Sequence, residues 1–171
     1  MWQRLRAGDE SAMGELFDRY QARLFRHACR LLTTREDAKD AVAMAFFELW
    51  RKRSSVRLVD GSPLPWLLVT AANAARNLER SSRRYRSLLA KTPAAPDVFA
   101  FEPQDETGVL TALRRLPAGE QSVVVLTVLE GYAEREVADA LGIPAGTVKS
   151  RLARAKSRLR EEMTAMEASW A

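Results

Sequence analysis

The sequence predicts an all-α protein: two small helical domains joined by a flexible linker, the second domain a helix-turn-helix. Three observations lead there. Apolar residues recur at three- and four-residue spacing along most of the 171 residues, and strand-like alternation is nowhere sustained. Residues 91–106 interrupt that periodicity with Pro93, Pro96 and Pro103, which stop a helix and favour extended backbone. Finally, a pair of short helical stretches turns on Gly142 and runs into residues 149–160, which hold six basic residues and no acid. The expected division is a first domain over 1–90, a Pro-rich acidic linker over 91–106 and a second domain over 107–171.

Each element has its own reason. His27 and Cys29 lie on an amphipathic helix with Leu24, Phe25, Ala28 and Leu31. Over 36–53, Ala38, Ala41, Val42, Ala45, Phe46, Leu49 and Trp50 share one helical face. Gly61-Ser62-Pro63 breaks the chain, and residues 63–86 run helical from a Ser/Pro start. Val98, Phe99 and Phe101 make the linker less polar than a plain spacer. In the second half, Val109, Leu110, Leu113 and Leu116 mark a short helix ended by Pro117. Residues 119–130 form another, residues 133–141 a third stopped by Gly142, and Pro144 to about Met166 the last.

Composition narrows the function. The chain carries 27 Lys and Arg against 22 Asp and Glu, a formal charge of +5, and 47% hydrophobic residues, enough for packed cores. No apolar run approaches the roughly 18 residues of a membrane span, and the start, Met1-Trp2-Gln3-Arg4, opens into charge rather than a secretory signal, so a cytoplasmic protein is expected. With one cysteine and one histidine there is no internal disulfide and no multi-cysteine metal site; Cys29 reads as a small packed residue. Glycine-rich phosphate loops, catalytic triads and acidic metal clusters are missing from the pattern, so neither enzyme activity nor a cofactor is expected.

The charge comes in blocks. Residues 76–91 hold six basic residues against Glu79, residues 97–106 hold four acids and no base, and residues 149–160 are wholly basic. In the last block Val148, Leu152, Ala155 and Leu159 repeat at +4, +3 and +4 and face a core. Thr147, Ser150, Arg151, Arg154 and Arg158 line another face, with Lys149 beside it. A cationic helix face backed by a small three-helix core is what major-groove reading requires: residues near the amino end reach base edges while arginines further along meet phosphates. Ile143 plugs the angle that Gly142 opens.

Two further faces stand out. On 63–86, Asn73, Arg76, Asn77, Arg80, Arg83 and Arg84 follow Trp66; asparagine pairs with adenine edges, and cationic tracks hold unpaired strands. Trp66 reads as a core residue at the helix start. On 36–53, Asp40, Met44, Phe47, Glu48 and Arg51 lie opposite the core stripe, which exposes Met44 and Phe47 between acids and marks a protein contact.

The segment LRRLPAGEQSVVVLTVLEGYAEREVADALGIPAGTVKSRLARAKSRL resembles the carboxy-terminal domain of bacterial RNA polymerase sigma factors of the extracytoplasmic-function (ECF) class. AGDESAMGELFDRY, TREDAKDAVAMAFFELWR and PWLLVTAANAARNLER resemble its amino-terminal domain, in the same order and with the linker in between. The chain departs from that pattern at Ala43-Met44, where Gln-Glu is frequent, and at Asn77, where Asp is common. The resemblance implies a protein that binds core RNA polymerase and directs it to promoter DNA. It implies −35 contacts by Thr147, Lys149, Ser150, Arg151, Arg154 and Arg158, and −10 contacts and strand opening by Asn73, Arg76, Asn77, Arg80, Arg83 and Arg84. Asp37, Asp40, Met44, Phe47 and Glu48 would meet the clamp helices of the largest catalytic subunit, and the loop 54–62 would receive a flipped −10 base. Many members of that family are held inactive by an anti-sigma factor, a candidate partner here. The competing reading from the residues alone is a helix-turn-helix regulator with a ligand-sensing or dimerising first domain. The basic segment 76–91, which such a domain does not need, separates the two.

Overall fold

The computed structural model describes residues 1–89 and 108–168. The linker expected over 91–106, with Val98, Phe99 and Phe101, lies outside the described residues. Among those described, all regular structure is helical apart from an isolated bridge between Val59 and Ser62. No described helix is long and apolar enough to cross a membrane.

The first domain comprises α1 (Trp2–Arg6), α2 (Glu10–Leu31), α3 (Arg35–Lys52) and α4 (Leu64–Leu89). Asp9 caps α2 by accepting from the backbone N–H of Ser11 at 2.9 Å. The Ser11 hydroxyl, Arg4 and the cap amides hold its carboxyl down at about 2. Along α2 the buried residues Ala12, Leu16, Tyr20, Leu24, Ala28 and Leu31 form one inward stripe. Thr34 caps α3 through the Asp37 amide at 3.1 Å. The small residues Ala38, Ala41 and Ala45 let α3 pack closely on α2 and α4, and Phe46 fills the remaining space against Phe17, ring centroids 4.9 Å apart. Before α4 the chain reverses over Val59–Ser62, with Asp60 and Gly61 both at positive φ.

The second domain comprises α5 (Val109–Arg115), α6 (Ala118–Val124), α7 (Glu134–Leu141) and α8 (Ala145–Ala168). The single helix expected over 119–130 is interrupted. Beyond Val124 it widens into a π turn over Val125–Leu129, where the Glu130 amide donates to the Val125 carbonyl at 3.0 Å. The cause is local: Val123, Val124, Val125, Thr127 and Val128 are β-branched and crowd a tight turn, and the Thr127 hydroxyl bonds the Val123 carbonyl at 2.7 Å. Gly142, at φ +65°, turns the chain between α7 and α8, and the Ile143 amide closes the end of α7 on the Ala138 carbonyl at 3.1 Å. Val148 and Ala155, both fully buried, seat α8 on α6 and α7, with Leu152, Leu159 and Ile143 half-buried around them.

The two domains touch. α4 lies against α6, the π turn and α7, while α2 meets α5. Arg76 donates to Gln121 Oε1 at 2.6 Å, and Arg23 grips Glu130 Oε2 through Nε at 3.1 Å and Nη2 at 2.7 Å. The Arg57 guanidinium lies so close over Gly142 that a Cβ there would meet it at 2.7 Å.

Candidate nucleic-acid interface

Helix α8 begins on Pro144, whose carbonyl accepts from the Thr147 and Val148 amides at 2.9 and 3.2 Å. Its buried stripe leaves Lys149, Ser150, Arg154 and Arg158 exposed, with Thr147 and Arg151 half-buried at the edge. All six −35 candidates therefore lie on the described helix, away from its core. The acid-free run is nevertheless not an isolated cationic face. Arg154 Nε lies 3.7 Å from Glu120 Oε1 and Arg158 Nε 3.2 Å from Oε2. Arg151 rests on Gly119. Sequence reasoning missed Gly119 and Glu120. The available signal was Glu120 as the one charged residue between Arg115 and Glu130.

On α4, Asn73, Asn77, Arg80 and Arg84 are exposed at +4, +3 and +4, a straight row along one face. Arg76 stands apart from them. It is half-buried and engaged with Gln121, and burial, then the neighbouring Arg80, lowers its pKa. Arg83 lies on α4, but its side chain is outside the described residues. Trp66 is half-buried against the first domain's core, the packing role expected of it.

On α3, Phe46 is 3% exposed whereas Phe47 is 65% and Met44 43% exposed. The helical phase read from the sequence thus separates the two adjacent phenylalanines. Alongside, Phe17, Phe25, Val42 and Ala43 line an apolar groove of about 420 Å³ between α2 and α3. Asp40 is exposed and Asp37 half-buried in the first turn. Glu48 differs from the expectation of an open acid: Arg51 and Lys52 bind it at 2.9 and 3.0 Å, and those bonds hold its pKa below the ordinary value.

One buried polar cluster has no counterpart in the sequence reading. His27 is 1% exposed, with neither ring nitrogen hydrogen-bonded, and Nδ1 lies 3.8 Å from Glu130 Oε1, beside Arg30 at 3.9 Å. Burial pushes the imidazole down to about 4, against the raising effect of Glu130 and with the lowering effect of Arg30 and Arg23. Cys29, a free thiol, is half-buried, and burial raises its pKa. Among the described residues no group of three or more His, Cys, Asp and Glu is placed to hold a metal ion.

Comparison with known proteins gives a consistent answer. Residues 16–85 match the family model of Sigma-70 region 2, and residues 107–159 that of Sigma-70 region 4. The chain is 34% identical over 160 residues to the ECF RNA polymerase sigma factor SigM of Mycobacterium tuberculosis, covering 90% of this chain and 78% of that relative. It is 29% identical to the RNA polymerase sigma factor CarQ of Myxococcus xanthus, covering 96% and 97%. Among solved structures it is similar to CnrH in complex with the cytosolic domain of CnrY, with a TM-score of 0.60 and 26% identity over 96% of this chain and 95% of that one.

Proposed function

This chain belongs to the ECF class of RNA polymerase sigma factors, which bind core polymerase and direct promoter-specific initiation, and on that premise we propose how its residues divide the work. Helix α8 enters the major groove of the −35 element. Thr147, Lys149, Ser150 and Arg151 sit toward its amino end, where base edges are reached, and Arg154 and Arg158 extend the contact along the groove and its phosphates. Helix α4 meets the −10 element: the row Asn73, Asn77, Arg80 and Arg84 offers amide groups to bases and guanidinium groups to the separated strand. Arg76 joins that row once it leaves Gln121, and Arg83 lies between Arg80 and Arg84 in sequence. The exposed Met44 and Phe47 of α3, with Asp37, Asp40 and Glu48 around them, dock on the clamp helices of the largest polymerase subunit. On the domain limits we keep 1–90 and 107–171, with 91–106 as the tether.

The observation that carries this reading is that the two cationic faces lie on different helices, α4 and α8, whose inward stripes are both packed into buried apolar core. One DNA-binding surface with a sensing domain needs only the second. We further propose that a regulatory anti-sigma protein binds this chain and withholds it from polymerase; the similar CnrH was solved in complex with another protein, the cytosolic domain of CnrY. The test of the α4 assignment is permanganate reactivity of promoter thymines with core polymerase and the full chain. Asn73→Ala with Arg80→Ala should lower reactivity around −10 while leaving −35 protection in place. Undiminished reactivity would remove α4 from strand opening.

A further inference from the structure

Glu120 is a charged side chain in an apolar setting. It sits in the first turn of α6, 6% exposed, followed by the buried Gln121, Ser122, Val123 and Val124. An ionised carboxylate is costly to bury unless it is paired. Its ion-pair partners are Arg154 at 3.7 Å and Arg158 at 3.2 Å, whose side chains remain 61% and 54% exposed. Neither contact is a hydrogen bond, and Glu120 Oε2 is buried without one, so the carboxylate acts as a buried electrostatic anchor beneath two long side chains that reach into solvent.

The atoms in contact matter. Both arginines approach Glu120 with Nε, the inner nitrogen of the guanidinium. Nε is the nearest nitrogen in each pair, both side chains stay more than half exposed, and a guanidinium can recognise guanine O6 and N7 or a phosphate in bidentate fashion. Beside them Arg151 lies over Gly119, where a Cβ would come within 2.9 Å of its Nη1. Three arginines of α8 therefore rest on two consecutive residues of α6.

We propose that Gly119 and Glu120 form a positioning platform for the recognition helix, and that Glu120 sharpens −35 selectivity without touching DNA, by orienting Arg154 before it meets the bases and Arg158 before it meets the phosphates that set the helix's register. The proposal rests on the reading of α8 as the −35 helix. An arginine already held in place loses less rotamer freedom on contact, and a fixed fork rejects a wrong base edge that a mobile one would accommodate. The same carboxylate repels phosphates. Removing its charge should therefore loosen selectivity and at the same time leave binding to arbitrary DNA equal or stronger. A purely structural role produces no such opposed pair of effects.

The experiment selects a pool of duplexes carrying a randomised segment, using holoenzyme assembled from core polymerase and the full chain. It reads the enrichment of the preferred −35 sequence over the pool mean and, separately, the retention of unrelated DNA. Glu120→Gln should lower the enrichment ratio roughly three- to tenfold, part of what a bidentate base contact is worth, with retention of unrelated DNA equal or higher. Glu120→Asp, which keeps the charge but withdraws it by one methylene, should give an intermediate loss. With Arg154→Ala and Arg158→Ala together, adding Glu120→Gln should lower the enrichment ratio no further. An unchanged ratio in Glu120→Gln, or an equal fall in the background lacking both arginines, overturns the proposal. If circular dichroism shows that Glu120→Gln does not fold, Glu120→Asp decides alone, and a wild-type ratio in it is the refuting result. If the double arginine variant itself selects as wild type does, the −35 reading of α8 falls and takes the platform with it. If that variant loses selectivity while Glu120→Gln keeps it, only the platform falls.

Discussion

Phe46 and Phe47 are neighbours in sequence and opposites in environment, and replacing each by alanine separates folding from polymerase binding. Phe46 is 3% exposed and packs its ring on Phe17 with centroids 4.9 Å apart. Truncating a buried phenylalanine costs about 3–5 kcal/mol. At roughly 2–4 °C per kcal/mol for a chain of this size, Phe46→Ala should melt about 6–20 °C lower than wild type. Phe47 is 65% exposed, so Phe47→Ala should change stability by no more than about 0.5 kcal/mol. The same exposure sets its worth in docking. About two thirds of the side chain remains to be covered, and full burial contributes roughly 1.5–3 kcal/mol. Covering the remainder is then worth about 1–2 kcal/mol, a factor of about 5–30 in Kd. The assay pairs thermal unfolding by circular dichroism with titration of a labelled chain into core polymerase. Phe46→Ala with the wild-type melting temperature, or Phe47→Ala that melts early, would refute the helical phase of α3. Phe47→Ala with unchanged stability and unchanged affinity would refute the docking patch. Asp40→Ala should slow association more than Glu48→Ala, because Arg51 and Lys52 already neutralise Glu48.

Three more outcomes are expected. Arg154→Ala should reduce discrimination among −35 variants by a factor corresponding to about 1–3 kcal/mol, whereas Arg158→Ala should weaken binding to all sequences and flatten the salt dependence by about one unit of slope; competition binding at several salt concentrations distinguishes them, and equal discrimination in wild type and Arg154→Ala counts against the assignment. Because burial holds the folded imidazole of His27 near 4 while the unfolded one titrates near 6.5, the unfolded chain binds the extra proton between those values, so stability should be flat above about pH 6.5 and fall toward pH 4, by on the order of 3 kcal/mol in all; urea unfolding of His27→Leu should lack that fall, and parallel profiles would show that His27 is not its source. Gly142→Ala should lose about 1–2 kcal/mol from its positive φ, with little added by Arg57, whose guanidinium is the far end of a flexible side chain and can shift aside; if thermal unfolding matches wild type, the turn is not the constraint described.

What the sequence made legible was whatever lies within a few residues along a helix. The spacing of Ala38, Ala41, Ala45 and Phe46 gave the inward face of α3 and hence the exposure of Phe47, because a 3.6-residue period maps spacing onto direction. Gly142 and the Val148–Leu152–Ala155–Leu159 stripe placed the turn and the orientation of α8 in the same way. The π turn was not legible, since the preference of a β-branched run against tight turns competes with the apolar period that reads as continuous helix. Nor were the contacts of Glu120, Gln121 and Glu130. Arg76 meets Gln121 across 45 residues and Arg23 meets Glu130 across 107, so no local pattern couples them. Periodicity told which way Arg76 points but not that its face was occupied, and an acid-free stretch told that α8 is basic but not that α6 supplies the balancing charge.

The most direct test of the division of labour between α4 and α8 is run-off transcription on a library of genomic fragments, with purified core polymerase alone and with the full chain added. The expected result is a discrete set of new transcripts whose upstream sequences share two separated elements, with Asn73→Ala and Arg80→Ala together reducing initiation, and Arg154→Ala changing which −35 sequences are used. If the chain adds no transcripts to core polymerase, or if the new start sites share only one element and are indifferent to α4, the account of two promoter-reading helices on one chain is contradicted.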